Sequence, residues 1–438
     1  MRGKPLRWVP ILTVVALGVV ALAAGRSEAQ QVVRFWHSYT QPERVAAMKD
    51  TAAEFEKATG IKVEMEIVPW PRVYEKWTTA LAARTLPDVS VALPDNYMGM
   101  WLAGATYPLD DVVQSMGGDG AFLPGILDKH TRYQGKTIAI PHYLHATILI
   151  YRKDLLDEKG LKPPTTWEDL LKVCTALTDK PNRYGFQQFW SPQDITGITW
   201  TLWPIMRSNG GTFFDKDFNV KFNTPENVEA VKFIMEFQNR CSSEAAIELQ
   251  KNKDQWDLLG GGKTAMHFDT LFSLFIVERD NPTLGKKLAA WYPPKHKETG
   301  WLATPTSLAL LKGKNPDGGR KWIRFLLEED RYINFLHTVP AGHIPVTVAA
   351  SKSPKFWAHP FIQAHKKEVE IKLEGVNEGY FTGMRWGVNP YFTAIHNTKI
   401  FSNMLQRLVA EKIPVEQAVA DAQRELEKAV AEMKARGR

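Results

Sequence analysis

The spacing of apolar and polar residues changes several times along the first hundred positions, between the period of a strand and that of a helix. Short runs rich in β-branched residues favour strands, and apolar residues repeating every three or four positions favour helices. The pattern predicts, in order, a strand at 32–36, a helix from Pro42 to Gly60, a strand at 62–68, a helix at 72–83 and a strand at 89–93. Such a β-α-β-α-β order is typical of a parallel α/β layer.

Strand patterns return after a glycine-rich stretch at Gly117, Gly118 and Gly120. They fall at 137–140, 146–151, 264–268, 288–292 and 307–311. Helices are predicted after a capping box formed by Thr165 and Glu168, after the cap Thr224 with Pro225, and over most of the chain from Lys321 onward. The early domain is therefore expected to receive a late strand, which gives two discontinuous lobes joined by several crossings. Ligands of such sheets bind outside the carboxyl ends of the strands.

The first 29 residues carry the pattern of a secretory signal peptide. Three basic residues precede an apolar run from Val9 to Ala24, and the small residues Ser27 and Ala29 suit a cleavage site after Ala29. The alternative is a retained anchor, but 16 apolar residues are short for a membrane span of about 20. Because no cysteine follows the apolar run, we predict an exported protein without a lipid anchor, located in the periplasm.

Composition and charge narrow the function further. The chain has 438 residues, 44% hydrophobic and 24% charged, which is typical of a globular protein. Removal of residues 1–29 lowers the formal net charge from +7 to +4, and an excess this mild does not predict nucleic-acid binding. Cys174 and Cys241 cannot form a disulfide framework or a four-ligand zinc site. They are predicted either as one disulfide bridge or as a buried free pair.

No motif predicts catalysis, a metal or another cofactor. The glycine-rich run from Gly260 to Thr264 resembles a phosphate loop, but Asp257 stands where that motif needs glycine, and a strand follows instead of a helix. His142 and His145 have a spacing that places them on opposite faces of a strand, which disfavours a shared metal. A secreted enzyme remains an alternative, because catalytic carboxylates need no sequence motif.

Aromatic and hydrogen-bonding residues collect where predicted strands end. A sugar presents an apolar face that aromatic planes suit and a rim of hydroxyls that Asp, Asn, His and Arg suit. Each aromatic alone is also compatible with a core position, so the prediction depends on their coincidence with strand ends. The segments concerned are Phe35–Tyr39, Pro94–Tyr97, Trp200 with Trp203, Met266–Phe272 and Gly383–Tyr391.

Taken in order, these segments resemble the bacterial extracellular solute-binding proteins of ABC importers, in the family that includes maltose-binding protein. The resemblance covers nearly the whole chain after residue 29. Its motifs are the signal peptide, Val33–Ser38, Leu86–Val89, Gly135–Pro141, Leu149–Leu155, Pro164–Glu168, Gly262–Met266, Gly342–Val346 and the closing amphipathic helix.

The resemblance implies a two-lobed α/β fold of the type II periplasmic-binding-protein class, with a hinge that closes on ligand. It implies a first lobe of residues 30–143 and 293–327 and a second of residues 144–292 and 328–438. The crossings are expected near Leu144–Thr147, Ala290–Pro293 and Leu327–Asp330.

The resemblance also implies roles for individual residues. Asp95 matches an acidic residue that holds sugar hydroxyls, whereas His145 stands where the maltose binder has an acidic residue, which argues against maltose itself. The predicted ligand-binding residues are Trp36, His37, Ser38, Tyr39, Asp95, His145, Trp200, Asp269, Phe272, Arg385, Trp386 and Tyr391.

The expected ligand is a sugar or short oligosaccharide, and the expected partner is the membrane permease of an importer, with the protein itself a monomer. Phe35–Ser38 and Gly383–Gly387 also resemble the glycerol-phosphate binder of the family, in which case Arg385 would hold the phosphate. A sensor-only binding protein that serves a chemoreceptor is a third alternative.

Overall fold

The computed structural model describes Gly3 and residues 30–192, 197–249 and 252–435. Apart from Gly3, the predicted signal peptide lies outside these residues. The chain divides into two compact units, residues 1–30 and 31–438, and both main sheets with their helices belong to the second unit. Among the described residues, no helix has the length and apolar character that crossing a bilayer requires.

Strands account for a minor part of the described chain and form two main sheets. They are β1 (Val32–His37), β2 (Lys62–Ile67), β3 (Val89–Ala92), β4 (Arg132–Tyr133), β5 (Lys136–Thr137), β6 (Ile140–Ala146), β7 (Ile148–Arg152), β8 (Met266–Asp269), β9 (Leu288–Trp291) and β10 (Ala303–Leu310).

Helices cover the sheets and make up most of the second half of the chain. They are α1 (Pro42–Thr59), α2 (Val73–Ala82), α3 (Pro94–Leu102), α4 (Asp110–Ser115), α5 (Ile126–His130), α6 (Lys153–Glu158), α7 (Trp167–Leu177), α8 (Trp203–Ser208), α9 (Pro225–Cys241), α10 (Asn252–Gly260), α11 (Phe272–Asp280), α12 (Pro282–Gly285), α13 (Pro316–Leu326), α14 (Glu329–Leu336), α15 (Val348–Lys352), α16 (Pro354–Trp357), α17 (Pro360–Ala364), α18 (Lys366–Glu378), α19 (Thr393–Asn397), α20 (Ile400–Ala410) and α21 (Val415–Ala435).

The larger sheet has five strands in the order β2-β1-β3-β10-β6. Strand β1 is parallel to both β2 and β3, as the early β-α-β-α-β pattern predicts. Strand β10 is antiparallel to β3 and β6, so the early layer does receive a late strand. Helix α1 begins at Pro42 and ends at Gly60, whose φ of 72° is the left-handed conformation that glycine tolerates best.

The smaller sheet has the order β8-β7-β9, and both outer strands are antiparallel to β7. The chain leaves the larger sheet after Ala146 and enters the smaller one at Ile148, and it returns between Trp291 and Ala303. Helix α14 packs on α1, beside the larger sheet. The predicted lobe boundaries stay a prediction. Because α14 packs on α1 of the predicted first lobe, the third crossing is expected further along the chain than Leu327–Asp330.

Two cysteines and one capping box refine the sequence predictions. Cys174 of α7 and Cys241 of α9 form a disulfide bond with a Cα–Cα distance of 5.6 Å, which decides between the two predicted alternatives. The capping box of α7 is shifted by one residue from the predicted pair, because the Thr166 hydroxyl accepts from the amide of Asp169 while the Asp169 carboxylate reaches back to the Thr166 amide. The prediction of Thr165 and Glu168 was wrong in register.

Candidate functional site

The carboxyl ends of β1 and β3 bring two of the predicted segments to one edge of the larger sheet. The strands are parallel and in register from Phe35 beside Val89 to Trp36 beside Ser90. The chain therefore leaves both strands on the same side, through Ser38 after β1 and through Pro94 at the start of α3. This is the edge at which α/β sheets bind ligands.

The four predicted residues at the end of β1, Trp36 to Tyr39, make different contacts with the rest of the protein. Trp36 is 9% exposed, and the Lys76 ammonium lies 4.4 Å from the centre of its ring. His37 stacks on Tyr39 at 5.1 Å, and burial, with a smaller effect of Arg44, lowers the pKa of His37 to about 4. The Ser38 hydroxyl is buried without a hydrogen-bond partner among the described residues.

Tyr39 is the most deeply buried residue of this segment. Its hydroxyl lies 2.9 Å from Nδ1 of His142, and the Arg44 guanidinium stacks over its ring at 4.1 Å. Protein groups thus already contact both the hydroxyl and the ring of Tyr39. Its predicted contact with a ligand stays a prediction.

Asp95 occupies the first turn of α3, next to the end of β3. The residue is 8% exposed, and its Oδ1 atom has no hydrogen-bond partner among the described residues. Its Oδ2 atom lies 3.5 Å from Nδ2 of Asn96. Burial raises the pKa of Asp95 to about 6, against the opposing effect of backbone amides in the same helical turn. A buried carboxylate oxygen in this situation is a strong acceptor for a hydroxyl donor.

His396 of α19 faces Asp95, and the sequence did not predict it. Its Nδ1 atom lies 4.0 Å from Oδ2 of Asp95, and neither ring nitrogen has a hydrogen-bond partner among the described residues. The rings of Phe381 and Phe392 meet the imidazole edge-on at 5.3 and 5.7 Å. Burial lowers the pKa of His396 to about 3, so the imidazole is neutral and offers one donor and one acceptor.

A second group of predicted residues lies at the end of β8 and β6. Asp269 is fully buried and accepts a hydrogen bond of 2.6 Å from the Trp256 indole, whose ring stacks on Phe272 at 4.8 Å. His145 places its Nδ1 atom 2.7 Å from the Gly342 carbonyl oxygen. Burial, followed by the charge of Lys372, lowers the pKa of His145 to about 3.

Trp200, Arg385 and Trp386 lie in other segments, where the protein itself fixes their side chains or backbone. Trp200 is half-buried in a π-helical turn at Ile198–Leu202, a geometry frequent at functional sites. Arg385 donates to the Gly210 carbonyl at 3.3 Å and to Glu298 at 3.4 Å. Trp386 is 50% exposed. Its indole N–H donates to the Phe214 carbonyl at 3.2 Å, which fixes the plane of the ring.

Tyr391 is half-buried against the core, and the Lys434 ammonium lies 5.1 Å from its ring centre. Contacts join the predicted residues in small groups: His37 stacks on Tyr39, the Arg385 guanidinium lies 5.4 Å from the Trp386 ring centre, and the Trp256 indole connects Asp269 with Phe272. Asp95 lies beside His396, which was not predicted. In the described part of the chain, no such contact connects Arg385 with Asp95.

Several buried polar atoms near the predicted segments have no partner among the described residues. Leaving a buried donor or acceptor unpaired costs about 1–3 kcal/mol, so native proteins pair nearly all of them with protein, water or ligand. The side chains concerned are Ser38, Asp95 and His267 within these segments, Thr199 and Thr382 next to them in sequence, and His396 beside Asp95. Within the ranges that the structure describes, no three His, Cys, Asp or Glu side chains are arranged to hold a metal ion.

Known proteins resemble this chain in sequence and in fold. The model of the bacterial extracellular solute-binding protein family matches residues 39–331. An sn-glycerol-3-phosphate-binding periplasmic protein of Brucella abortus is 24% identical over 414 residues, which cover 88% of this chain and 93% of the relative.

Solved structures share the fold over most of the chain. An ABC transporter solute-binding protein of Thermotoga lettingae, bound to α-D-tagatose, has a TM-score of 0.78 at 20% identity and covers 91% of this chain and 99% of its own. Maltose-bound MalE3 of T. maritima has a TM-score of 0.77 at 20% identity, and the match covers 90% of this chain and 99% of MalE3. The prediction of a periplasmic-binding-protein fold is thereby confirmed.

Proposed function

The chain belongs to the bacterial extracellular solute-binding protein family, and on that premise we propose that it captures a sugar or short oligosaccharide and delivers it to the membrane permease of an ABC importer. The observation that carries this proposal is the pairing of Asp95 with His396. Both side chains are buried, both have polar atoms without a partner among the described residues, and they come from helices α3 and α19, which pack together.

The chemistry of this pair favours hydroxyl groups. The Asp95 carboxylate accepts hydrogen bonds, and the neutral His396 imidazole offers one donor and one acceptor. A vicinal pair of sugar hydroxyls supplies complementary donors and acceptors to both residues. A phosphate would place negative charge beside the buried carboxylate of Asp95, which is unfavourable in a medium of low dielectric constant.

Aromatic side chains supply the surface on which the apolar face of a sugar can stack. Trp36 lies at the end of β1, close to the carboxyl edge from which Asp95 emerges. Trp200 and Trp386 retain exposed ring surface. The neighbours bound to tagatose and maltose are consistent with a carbohydrate ligand.

A glycerol phosphate or glycerophosphodiester is the second candidate ligand. The relative from Brucella abortus, matched over 88% of the chain, is named for sn-glycerol-3-phosphate. Arg385 is the residue that would hold the phosphate, since a guanidinium group suits two phosphate oxygens. However, Arg385 is 3.4 Å from the Glu298 carboxylate, which partly neutralises its charge, and this favours the sugar.

We propose a binding role and not a catalytic one. The family and the structural neighbours are binding proteins, which supports this assignment. Incubation with a glycan mixture should leave the mixture uncleaved, and detection of shorter products would favour a secreted glycan-active enzyme. A gene neighbourhood that encodes permease subunits would favour import over a chemoreceptor sensor.

The proposed location is the periplasm, with the mature chain a free monomer. Its relatives are named as periplasmic or extracellular binding proteins, and the N-terminal pattern is that of a cleaved signal peptide without an anchoring cysteine. Mass spectrometry of the exported protein should find a new N-terminus after Ala29.

The binding motion proposed is closure of two lobes about a hinge. Each lobe is built on one of the two sheets, and the chain passes directly from one sheet to the other through Thr147. A thermal-shift screen of sugars and phosphate esters should identify a ligand that raises the melting temperature, because it binds only the folded state. X-ray scattering should then show a smaller radius of gyration at saturation. An unchanged radius would contradict closure.

A further inference from the structure

Helix α18 carries a lysine on its buried face. Val369, Lys372 and Gly375 follow one another at the spacing of a single helical face, and all three are buried. The side chain of Lys372 is completely shielded from solvent. An isolated buried ammonium group is strongly unfavourable, so its position calls for compensating acceptors.

Three backbone carbonyl groups surround the Lys372 ammonium. Its Nζ atom lies 2.6 Å from the oxygen of Thr270, 2.7 Å from that of Ala341 and 2.6 Å from that of Gly342. An ammonium group has three N–H donors and no acceptor, so each donor finds one carbonyl. The neutral amine has only two N–H donors and would direct a lone pair at the third oxygen. Burial lowers the pKa of Lys372 well below its usual range, and the three carbonyl acceptors oppose this effect by favouring the charged form.

The three carbonyls belong to two turns that lie far apart in sequence. Leu271 follows Thr270 with a φ of 64°, and Ala341 has a φ of 60°. Left-handed conformations are uncommon for residues other than glycine and persist where the surroundings hold them. Lys372 binds the carbonyl that precedes Leu271 and the carbonyl of Ala341 itself. It is the one side chain with hydrogen bonds to both turns among the described residues.

Both turns lie next to residues that are predicted to bind ligand. Asp269 precedes the first turn and Phe272 follows it, whereas the Gly342 carbonyl of the second turn also lies beside His145. The two turns pack closely, because a β-carbon on Gly342 would lie 3.4 Å from the Phe272 ring. A shift of one turn would thus displace side chains at the ends of β8 and β6 together.

We propose that Lys372 is a positioning residue, whose ammonium group fixes the turn carrying Asp269 and Phe272 relative to the turn that holds His145. The ligand-binding role of those three residues rests on the proposed function, whereas the positioning itself does not. Loss of the ammonium group releases the Thr270 and Ala341 carbonyls, and the hydrogen bond between Trp256 and Asp269 changes with them.

The Trp256 indole gives a direct readout of this arrangement. In protein labelled with nitrogen-15 tryptophan, the Trp256 N–H resonance is assigned by its loss in Trp256→Phe. We expect Lys372→Met to shift or broaden this resonance while leaving that of Trp77, which donates to Ser90, in place. Lys366→Met, at an exposed position of the same helix, is the matched control and should leave both resonances unchanged.

An unaltered Trp256 resonance in Lys372→Met, together with a lower melting temperature, would show a structural role alone and overturn the proposal. If Lys372→Met does not fold, Lys372→Gln decides, because its amide has only two donors for three carbonyls. The Trp256 resonance should then still move from its wild-type position, and an unmoved resonance in folded Lys372→Gln would overturn the proposal. In the wild-type protein, lysine labelled at Nζ should show one slowly exchanging ammonium signal at neutral pH, and absence of that signal would also overturn it.

These measurements require no ligand, so they separate two kinds of failure. If no sugar or phosphate ester binds, the proposed function is wrong, while a shifted Trp256 resonance still supports the positioning role. If a sugar from the thermal-shift screen binds Lys372→Met as tightly as the wild type and the resonance is unaltered, the positioning role alone is wrong.

Discussion

Replacement of Asp95 by asparagine is expected to have opposite effects on stability and on binding. The side chain is 8% exposed, and its Oδ1 atom has no hydrogen-bond partner among the described residues. Burial raises the pKa of this carboxyl group from 3.8 to about 6. At neutral pH the carboxyl group is ionised in both states, but only the folded protein buries the charge. Ionisation is therefore unfavourable in the folded protein alone. Such a cost is common where a binding site needs a buried charge.

The size of the effect follows from the pKa change. Each pH unit of difference between folded and unfolded pKa corresponds to about 1.36 kcal/mol, so the carboxylate destabilises the folded protein by about 3 kcal/mol at neutral pH. Because the folded pKa is the higher one, this cost diminishes as the pH falls through about 6 and vanishes below 3.8. An asparagine side chain at this position would avoid the charge but still bury an amide. We therefore expect Asp95→Asn to be about 1–3 kcal/mol more stable at neutral pH.

Binding should change in the other direction. Hydrogen bonds to a charged acceptor contribute about 1.5–3 kcal/mol, so Asp95→Asn should raise the Kd by a factor of about 10 to 150. Urea unfolding of the unliganded protein over a range of pH gives the stability difference, and calorimetry with a ligand from the screen gives the Kd. Glu54→Gln, at an exposed position of α1, is the matched control. A stability gain that persists below pH 3.8, or no gain at neutral pH, would refute the reasoning.

Three further predictions concern other parts of the chain. Replacing Cys174 and Cys241 by serine should lower the free energy of unfolding by about 4 kcal/mol, since the bond closes a loop with a sequence separation of 67; equal urea midpoints for the oxidised and the double-serine protein would contradict this. Burial lowers the pKa of His142 to about 3, so between about pH 6.5 and 3 the unfolded chain binds a proton there that the folded one does not, and His142 alone should lower stability by about 1.4 kcal/mol per pH unit as the pH falls; His37, His145 and His396 add to the total slope, so His142→Asn should make it shallower by about one proton, and an unchanged slope would count against this. Arg385→Gln should leave the affinity for an uncharged sugar within about threefold while Trp386→Ala weakens it by about 1 kcal/mol or more; the reverse ranking in calorimetry would favour a phosphate ester.

The sequence predicted well those elements whose local pattern and tertiary environment agree. Strands β1 and β2 and helix α1 match closely, because the apolar face, Pro42 and Gly60 all indicate the same element. The start of β10 was missed because Pro305 disfavours a strand. The structure accommodates Pro305 where β10 pairs with β6 alone, since pairing with β3 begins only at Ser307.

Helix α3 and the capping box show where local information was insufficient. The pattern predicts a strand that ends at residue 93 and no helix after it, yet Pro94–Tyr97 forms the first turn of α3, whose sequence contains the poor helix former Gly99. At α7 both Thr165 and Thr166 can bond to Asp169, and they do so. The choice between the two registers depends on packing, which a local pattern does not contain.

Of the two residues paired in the candidate site, only Asp95 was predictable from the sequence. Asp95 follows a buried strand, which indicates its position at the carboxyl edge of the sheet. His396 comes 301 residues later in a short helix, and no periodicity or spacing connects it with Asp95. Lys372 lies in a helix rich in charged residues, where a lysine is expected at the surface. Its burial depends on carbonyls from two distant turns. Such pairings arise from tertiary packing and have no local signature.

The salt dependence of ligand binding distinguishes an uncharged sugar held by Asp95 and His396 from a phosphate ester held by Arg385. The best ligand from a screen of uncharged sugars, sugar phosphates and glycerophosphodiesters is titrated by calorimetry at low and at high salt. An uncharged sugar held by Asp95 and His396 should bind with nearly the same Kd at both, because no ligand charge is screened. Binding confined to phosphate esters, weakened at high salt and abolished in Arg385→Ala but retained in Asp95→Asn, would contradict the account.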